Sequence, residues 1–302
     1  MRRRQGFALL VVLSVMVGAV ALGVALSTGA GDAVATARAR VRLTRGAWIA
    51  DGCIARARSA IGDLLADDRT AASSWRRLDT LVAAATVAIG CDIVTEPSGV
   101  RLDVNSSKPA QLQALFVAAG NSVARADSLV GALIDWRDSD DEARPLGAER
   151  MWYDAAGRPS PRNGALASVD ELRLVRGLET DSVAANLLGA EHERIWLERA
   201  PLPVIAALPG MSAQALTVIA ERRQFGRAVG ELAALADDLG GAARALLLAH
   251  YAELAGLTTN SPEAWTITAC ATVDEVKSAA CVEVGLVRAG ARAAVVRRRS
   301  WP

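Results

Sequence analysis

Residues 1–26 read MRRRQGFALLVVLSVMVGAVALGVAL. Three arginines and a glycine stand before an uncharged run, Phe7–Leu26. About 20 such residues suffice to cross the hydrocarbon core of a bilayer as a helix. The order of the parts carries the information. A secretory signal has its small-residue cleavage site after the apolar stretch, whereas here the small residue, Gly6, comes before it. A cut between Gly6 and Phe7 removes residues 1–6 as a charged leader and leaves residues 7–26 on the mature chain as a transmembrane helix. An uncleaved signal anchor is the alternative. Charge orients the segment only weakly, because Arg2, Arg3 and Arg4 are balanced by Arg38, Arg40, Arg42 and Arg45 on the far side.

Past Leu26 the helical pattern continues. Ala35–Leu65 lacks proline, and Trp48, Ile49, Cys53, Ala57, Ile61 and Leu64/Leu65 recur at helical spacing. A helix from Phe7 to about residue 66, ending near Asp67-Asp68-Arg69, is ~90 Å long at 1.5 Å per residue. Ala85–Thr95 then reads as a strand, Glu96-Pro97-Ser98-Gly99 as a turn and Val100–Val104 as a second strand, which predicts an antiparallel hairpin. Trp265–Ala271, Cys281–Arg288 and Ala291–Arg299 give three more strand candidates near the other end.

Between them, residues 105–257 read as helical. One helix covers Ala110–Phe116, ending near Gly120, and a second, Asp127–Trp136, leads into Asp135-Trp136-Arg137-Asp138-Ser139-Asp140-Asp141. The pattern returns as Pro203–Leu208, the turn Pro209-Gly210-Met211, and Ser212–Arg223. Both copies end in Ile-x-x-Arg, as Ile134–Arg137 and Ile219–Arg222, which marks an internal duplication of helical hairpins. The fold class expected is α+β: a long N-terminal helix, an antiparallel sheet split into residues 27–104 and 258–302, and a large all-α insertion at 105–257.

Composition narrows the function. Lys+Arg at 34 nearly balances Asp+Glu at 33 among 302 residues, so the global basic field of nucleic-acid binders is missing. The four cysteines, Cys53, Cys91, Cys270 and Cys281, form no C-x-x-C pair, which argues against zinc and thioredoxin-type chemistry. In an exported domain they allow three connectivities. Cys270 with Cys281 across a hairpin is the preferred pair, with Cys53 and Cys91 as a second bridge; four buried free thiols are the alternative. Of two histidines, His192 has no partner at zincin spacing, and His250 lies in an apolar helical stretch where a buried, hydrogen-bonded ring is expected. Neither a Gly-x-Ser-x-Gly elbow nor a Walker loop is present. The expectation is a non-enzyme.

The best site candidate is acidic. Asp135, Asp138, Asp140, Asp141 and Glu142 lie within eight residues, followed by Glu149 and Tyr153. Hard cations such as calcium take six to eight oxygen ligands, and Asp138, Asp140 and Glu142 alternate in a way that lets them converge on one ion. The 12-residue EF-hand register is not met. A solvated acidic loop, with Ser168-x-x-Glu171 acting only as a capping box, is the plain alternative.

Taken together, the Gly6–Phe7 junction ahead of the apolar helix resembles the class III signal of type IV pilins and pseudopilins. Most of these carry a glutamate at the fifth mature residue; here that position is Val11. This absence, with Ile-Asp-Trp-Arg-Asp-x-Asp-Asp, Pro145–Glu149, Tyr153, Pro161-Arg162-Asn163, Ser168 and Glu171-Leu172, resembles the general secretion pathway protein K family of minor pseudopilins of the type II secretion system. The resemblance implies a pilin-like head and a bacterial inner-membrane location with the soluble part in the periplasm. It also implies cleavage by a prepilin peptidase at Gly6/Phe7, N-methylation, and calcium held among Asp138, Asp140, Asp141, Glu142 and Glu149. Other minor pseudopilins are the implied partners at a filament tip, with secreted substrate or the outer-membrane secretin beyond it. Where the family leads into its second hairpin with Asn-x-Asn-Thr-like residues, this chain has Leu197-Glu198-Arg199-Ala200-Pro201-Leu202. The Leu-Pro-Gly turn also resembles helix-hairpin-helix modules, which membrane-anchored competence proteins of the ComEA type use on DNA. The few cations near Gly210 argue against nucleic acid.

Overall fold

The computed structural model describes residues 4–66, 80, 82, 90–191, 193–290 and 292–301. Helix α1 runs unbroken over Arg4–Ala66, 63 residues, or ~94 Å at 1.5 Å per residue. Gly6 and Phe7 both fall within it. Its two halves differ in what they touch. From Leu9 to Val24 every side chain is exposed, including Leu9, Leu10, Val15 and Val20. Further on, Ala50, Cys53, Ile54, Ala57, Ile61 and Leu65 are buried at helical spacing. Among the described residues no helix is long and apolar enough to cross a membrane.

The inner half of α1 packs on a four-stranded antiparallel sheet of order β1-β6-β7-β8. Its strands are β1 Cys91–Pro97, β6 Ala264–Val273, β7 Val276–Ala289 and β8 Arg292–Trp301. β6 shows why it can be half-buried. Trp265, Ile267, Ala269, Ala271 and Val273 alternate inward, and Thr266, Thr268 and Cys270 face away from the helix. Trp265, Ile267, Ala269 and Ala271 join Val282, Val284 and Leu286 of β7 and the α1 stripe in one core. At Gly46 an added Cβ would lie 3.0 Å from Ala280 Cβ, so helix and sheet approach closely here. Cys53 is bonded to Cys91, tying α1 to β1, and Cys270 to Cys281 across β6 and β7.

The expected hairpin at 85–104 is corrected. Residues 85–89 and 67–69 lie outside the described residues. β1 pairs with β6 instead, and β2, Leu102–Asp103, pairs in parallel with β3, Leu188–Gly189. The turn at 96–99 does not fold back because Gly99 (φ +77°) carries the chain into the helical part. There the Gly99 carbonyl accepts from the Trp196 N–H at 2.8 Å.

The helical body follows in chain order. It comprises α2 Pro109–Ala118, α3 Val123–Arg137, α4 Arg150–Ala155, a 3-10 turn at Val169–Leu174, and α5 Ser182–Asn186. After β3 and β4, Ile195–Trp196, come α6 Leu202–Ala206, α7 Ala213–Gln224, α8 Leu232–Asp237, α9 Gly241–Ala249 and α10 Tyr251–Leu257. β5, Thr258–Thr259, returns beside β4 in parallel before β6 begins. A single core unites this body, with Leu112, Phe116, Leu129, Leu133, Trp136, Tyr153, Val204, Ile219 and Leu235 all buried. Trp196 is the exception. It seats in the core of the sheet and α1, and its indole N–H donates to the Asn260 carbonyl at 3.2 Å. The insertion is therefore plugged into the head by a buried indole.

The duplication is visible in the backbone. Each copy starts with a two-residue strand in a parallel bridge, β2 or β4. Each then turns through a glycine at positive φ, Gly120 (+99°) or Gly210 (+75°), into a serine that caps the second helix. Ser122 accepts from the Arg125 N–H and Ser212 from the Ala215 N–H, both at 3.2 Å.

Candidate functional site

The acidic segment begins where α3 ends. Asp135 and Trp136 are on its buried face, and Asp138 is its C-cap. Arg137 holds this end in place: one guanidinium nitrogen donates to the Val104 carbonyl and another to the Ser107 carbonyl at 2.7 Å. The chain then loops over residues 138–149 and enters α4 with Glu149 as N-cap. Close backbone packing pins the loop to α3. A Cβ on Gly131 would meet Gly147 Cα at 3.1 Å, and a Cβ on Gly147 would overlap Asp135 Oδ2. Asn163 fastens the outside, donating to the Asp140 carbonyl at 2.8 Å and to Asp141 Oδ1 at 3.1 Å.

Carboxylate oxygens of Asp138, Asp140 and Glu149 all lie within 4.8 Å of one another. Glu149 is only 3% exposed, and neither of its carboxylate oxygens has a hydrogen-bond partner. Asp138 Oδ1 is likewise buried and unpartnered, while Oδ2 accepts from Arg144 at 3.0 Å. A buried carboxylate without donors is costly. Burial, and then Asp135, Asp138 and Asp141, push the Glu149 carboxyl up to about 7. Asp135 is also raised, by burial first, although the Arg144 backbone N–H donates to it at 3.1 Å.

Two named residues stand apart from this cluster. Asp141 pairs with Arg150 at 3.4 Å and with Asn163. Glu142 is exposed, its backbone N–H donating to Asp140 Oδ1 at 2.9 Å. Of the five carboxylates named from the sequence, Asp138, Asp140 and Glu149 converge, while Glu142 lies outside the group, since an irregular loop does not preserve strand alternation. The donor set is oxygen only, and calcium–oxygen distances of 2.3–2.6 Å put two ligands of one ion within about 5 Å. The three orphaned, buried oxygens fit such a cation.

Sequence spacing missed several supporting groups. Arg144 and Asn163 reach the cluster from outside the acidic run. Tyr153 is a wall residue: its ring stands edge-on to Trp136 at 5.3 Å and its hydroxyl accepts from the Arg176 N–H at 2.9 Å. The capping box at Ser168 is not made. Ser168 makes no side-chain cap, and the Glu171 carboxylate accepts from Ala167 N–H and Arg162, both at 3.0 Å.

Among the described residues the second copy holds no such cluster. Its acid is Glu198, buried, accepting from the Val229 N–H at 2.5 Å. Here Arg223, the residue after Arg222 of the repeated Ile-x-x-Arg pattern, reaches back to the Leu197 carbonyl. Arg222 instead pairs with Asp238 at 2.7 Å and donates to the Val229 and Ala234 carbonyls. The Gly210 turn is covered by the chain itself: an added Cβ would lie 2.9 Å from His250 Cβ and 3.1 Å from the Leu246 carbonyl. A DNA phosphate has no room there. His250, expected in the interior, is half-exposed between α9 and α10, beside Glu253 at 3.4 Å. His192 lies outside the described residues.

Comparison with known proteins bears on this arrangement. Residues 68–187 match the family model of the type II secretion system protein K, first domain, which takes in the acidic loop. No curated protein sequence matches. A chain of the crystal structure of the GspK-GspI-GspJ complex from the enterotoxigenic Escherichia coli type 2 secretion system is similar in fold. Its TM-score is 0.59 at 16% identity, over 88% of this chain and 99% of that one. Over residues 68–187 the chain is similar to protein K of the type II secretion system, and the solved neighbour shares its fold.

Proposed function

We propose that the protein is a minor pseudopilin of the type II secretion system, and that it starts or caps the tip of the periplasmic filament that drives export of folded proteins. The observation that carries the reading is the division of α1. Its first described stretch, Leu9–Val24, is apolar and bare, while its second half is locked to the sheet and, through Cys53–Cys91, to β1. A bare apolar stretch on a rigid rod suits a bilayer first and neighbouring helices afterwards. Arg40, Val41, Thr44, Arg45, Trp48 and Ile49 extend that surface beyond the membrane stretch, with Trp48 74% exposed. In the solved relative the assembly is of GspK with GspI and GspJ. Minor pseudopilins of those two types are the partners proposed here.

The anchor is in the inner membrane, the head in the periplasm, and the leader is removed before Phe7 by the prepilin peptidase. Val11 stands where a buried carboxylate in lipid needs a cationic partner. Without that carboxylate the chain has no demand for a subunit above it, and the helical insertion adds bulk on top of the head. Secreted substrate or the outer-membrane secretin is what such a tip meets. Asp138, Asp140 and Glu149 are the side chains that hold calcium, with Asp141 and Glu142 adding negative potential from the rim. The ion supplies positive charge to a cluster that otherwise repels itself, fixing the loop between α3 and α4.

The test is direct. N-terminal sequencing of the mature protein is expected to begin at a methylated Phe7, and the protein to co-purify with partner pseudopilins. An intact N-terminus at Met1 in a membrane fraction, with no partner pseudopilin recovered, overturns the reading.

A further inference from the structure

The sheet has two unlike edges. β1 carries Asp92 and Glu96 and is tied down by Cys53–Cys91. β8 is a 10-residue strand paired only with β7, and its charged residues are Arg292, Arg297, Arg298 and Arg299, with no acid among them. Arg298 is spent on α1, donating to Asp51 at 2.9 Å. Arg297 lies between Glu283 at 3.3 Å and Glu191 at 3.4 Å. Arg292 and Arg299 are exposed and have no ion-pair partner among the described residues. Val296, displaced where the β7–β8 register shifts, is 63% exposed, and Trp301 is 41% exposed.

A cleft of about 390 Å³ opens directly beside this edge. Val296, Arg297 and Arg299 form its β8 wall, Thr266 and Glu283 its floor on the sheet face turned away from α1, and residues 167–169 and 189–191 of the insertion its far wall. An open strand edge offers main-chain hydrogen bonds, and an adjoining pocket selects the side chain that comes with them. Arginines alone are the usual guard of an edge strand. A guard needs no pocket, however, and exposed apolar residues such as Val296 and Trp301 work against it.

We propose that β8 is a docking edge for an extended, acid-bearing strand of a partner pseudopilin head, with one acidic side chain entering the cleft toward Arg299. A second copy of this chain fits less well. Pairing β8 with β8 sets arginines against arginines, and pairing β8 with β1 of another copy repeats without closing. The choice of partner rests on the function proposed above; the edge and its cleft do not.

The full chain in detergent, mixed with the purified full-length GspI-type and GspJ-type pseudopilins of the same organism, tests both. Photoreactive benzoylphenylalanine in place of Val296 or Arg299 is expected to cross-link to one of them, and in place of Val94 on β1 to cross-link to neither. Arg299→Glu is expected to weaken the complex at least tenfold, Asp92→Lys less than threefold, and binding to β8 to weaken with added salt. A complex that forms with β8 silent in both assays overturns this inference and leaves the proposed function standing. A cross-link to a second copy of the chain overturns the chosen occupant. A chain that binds neither pseudopilin overturns both.

Discussion

The two helical hairpins share a frame and differ in what leaves it. In each, a parallel two-residue bridge delivers the chain to the first helix, a serine caps the second, and an arginine near its end returns to the carbonyl just after the bridge. That carbonyl is Val104 for Arg137 and Leu197 for Arg223. Asn105 and Glu198, each three residues or fewer past its bridge, then tie the hairpin to a later loop, at Leu166 and Val229. Past Arg137 the first copy spends residues 138–149 on an acidic loop. The second copy turns at once through Gly226 (φ +69°) and lies under α9. The frame provides rigidity in both; among the described residues only the outlet of the first gathers a carboxylate cluster.

The sharpest way to break this equivalence is to remove the two latches. Arg137→Ala strands two carbonyls and is expected to cost about 3 kcal/mol, at 1.5–3 for each hydrogen bond to a charged group. Arg223→Ala strands one carbonyl and takes a cation from beside buried Glu198; about 2 kcal/mol is expected. Burial holds the Arg223 guanidinium down to about 10, a sign of how dry that latch is. Denaturant unfolding followed by the fluorescence of Trp136 and Trp196 reads both. A cost below 0.5 kcal/mol for either removes that arginine from the frame.

Next in size is the metal. Calcium at 100 times its dissociation constant stabilises by about 2.7 kcal/mol, read as a rise in Tm. Glu149→Gln is expected to abolish that rise while leaving the metal-free protein at least as stable, because it removes a buried charge with no donors. Glu198→Gln, in the second copy, is expected to lower stability and leave the calcium response intact. An unchanged response in Glu149→Gln sinks the assignment of the ion to the first outlet.

Acid sharpens the same contrast. Glu149 is raised from 4.5 to about 7 in the folded protein, by burial and then by Asp135, Asp138 and Asp141, with Arg144 and Arg150 the cations on its rim. A raised carboxyl binds its proton more tightly folded than unfolded, so its contribution is fully present below about 4.5 and is lost as pH rises through about 7. Metal-free protein is therefore expected to lose Tm between those values, and calcium to cancel the loss. Glu193 is also raised by burial, so the part that disappears in Glu149→Gln is the part that counts. A metal-free Tm that is identical in the two proteins across this range overturns the account.

What the sequence made legible follows from periodicity. The α1 stripe and the alternation in β6 and β7 repeat locally, and local repetition is enough to place a helix on a sheet. β1 and β2 do not form the expected hairpin because β1 pairs with partners far along the chain, from Pro97 with Trp265 to Cys91 with Ala271. Two-residue bridges such as β4 with β5 have no pattern to read. In the acidic loop the residue types were visible and their convergence was not. Glu149 joins Asp138 and Asp140 through the return of the chain at Gly147, against Asp135. One residue of helix rotation separates Arg223, which reaches the carbonyl after the bridge, from Arg222 of the repeated Ile-x-x-Arg pattern, which faces Asp238.

The finest test is between the two turn glycines. Gly120 (φ +99°) and Gly210 (φ +75°) stand just ahead of Ser122 and Ser212, and both have backbone conformations that an L side chain resists. At Gly120 an added Cβ meets nothing within 4 Å, so Gly120→Ala carries the backbone cost alone, roughly 1 kcal/mol. At Gly210 the same methyl presses on His250 Cβ at 2.9 Å and on the Leu246 carbonyl at 3.1 Å. Gly210→Ala is expected to cost roughly 1 kcal/mol more, an overpacking charge of the usual size. Truncating the neighbour separates the two parts. With His250→Gly in the background, the excess at Gly210 is expected to shrink and the cost at Gly120 to stay the same. If instead the two glycines cost the same throughout, α9 does not press on the second turn. The argument that this turn is closed to a phosphate then fails with it.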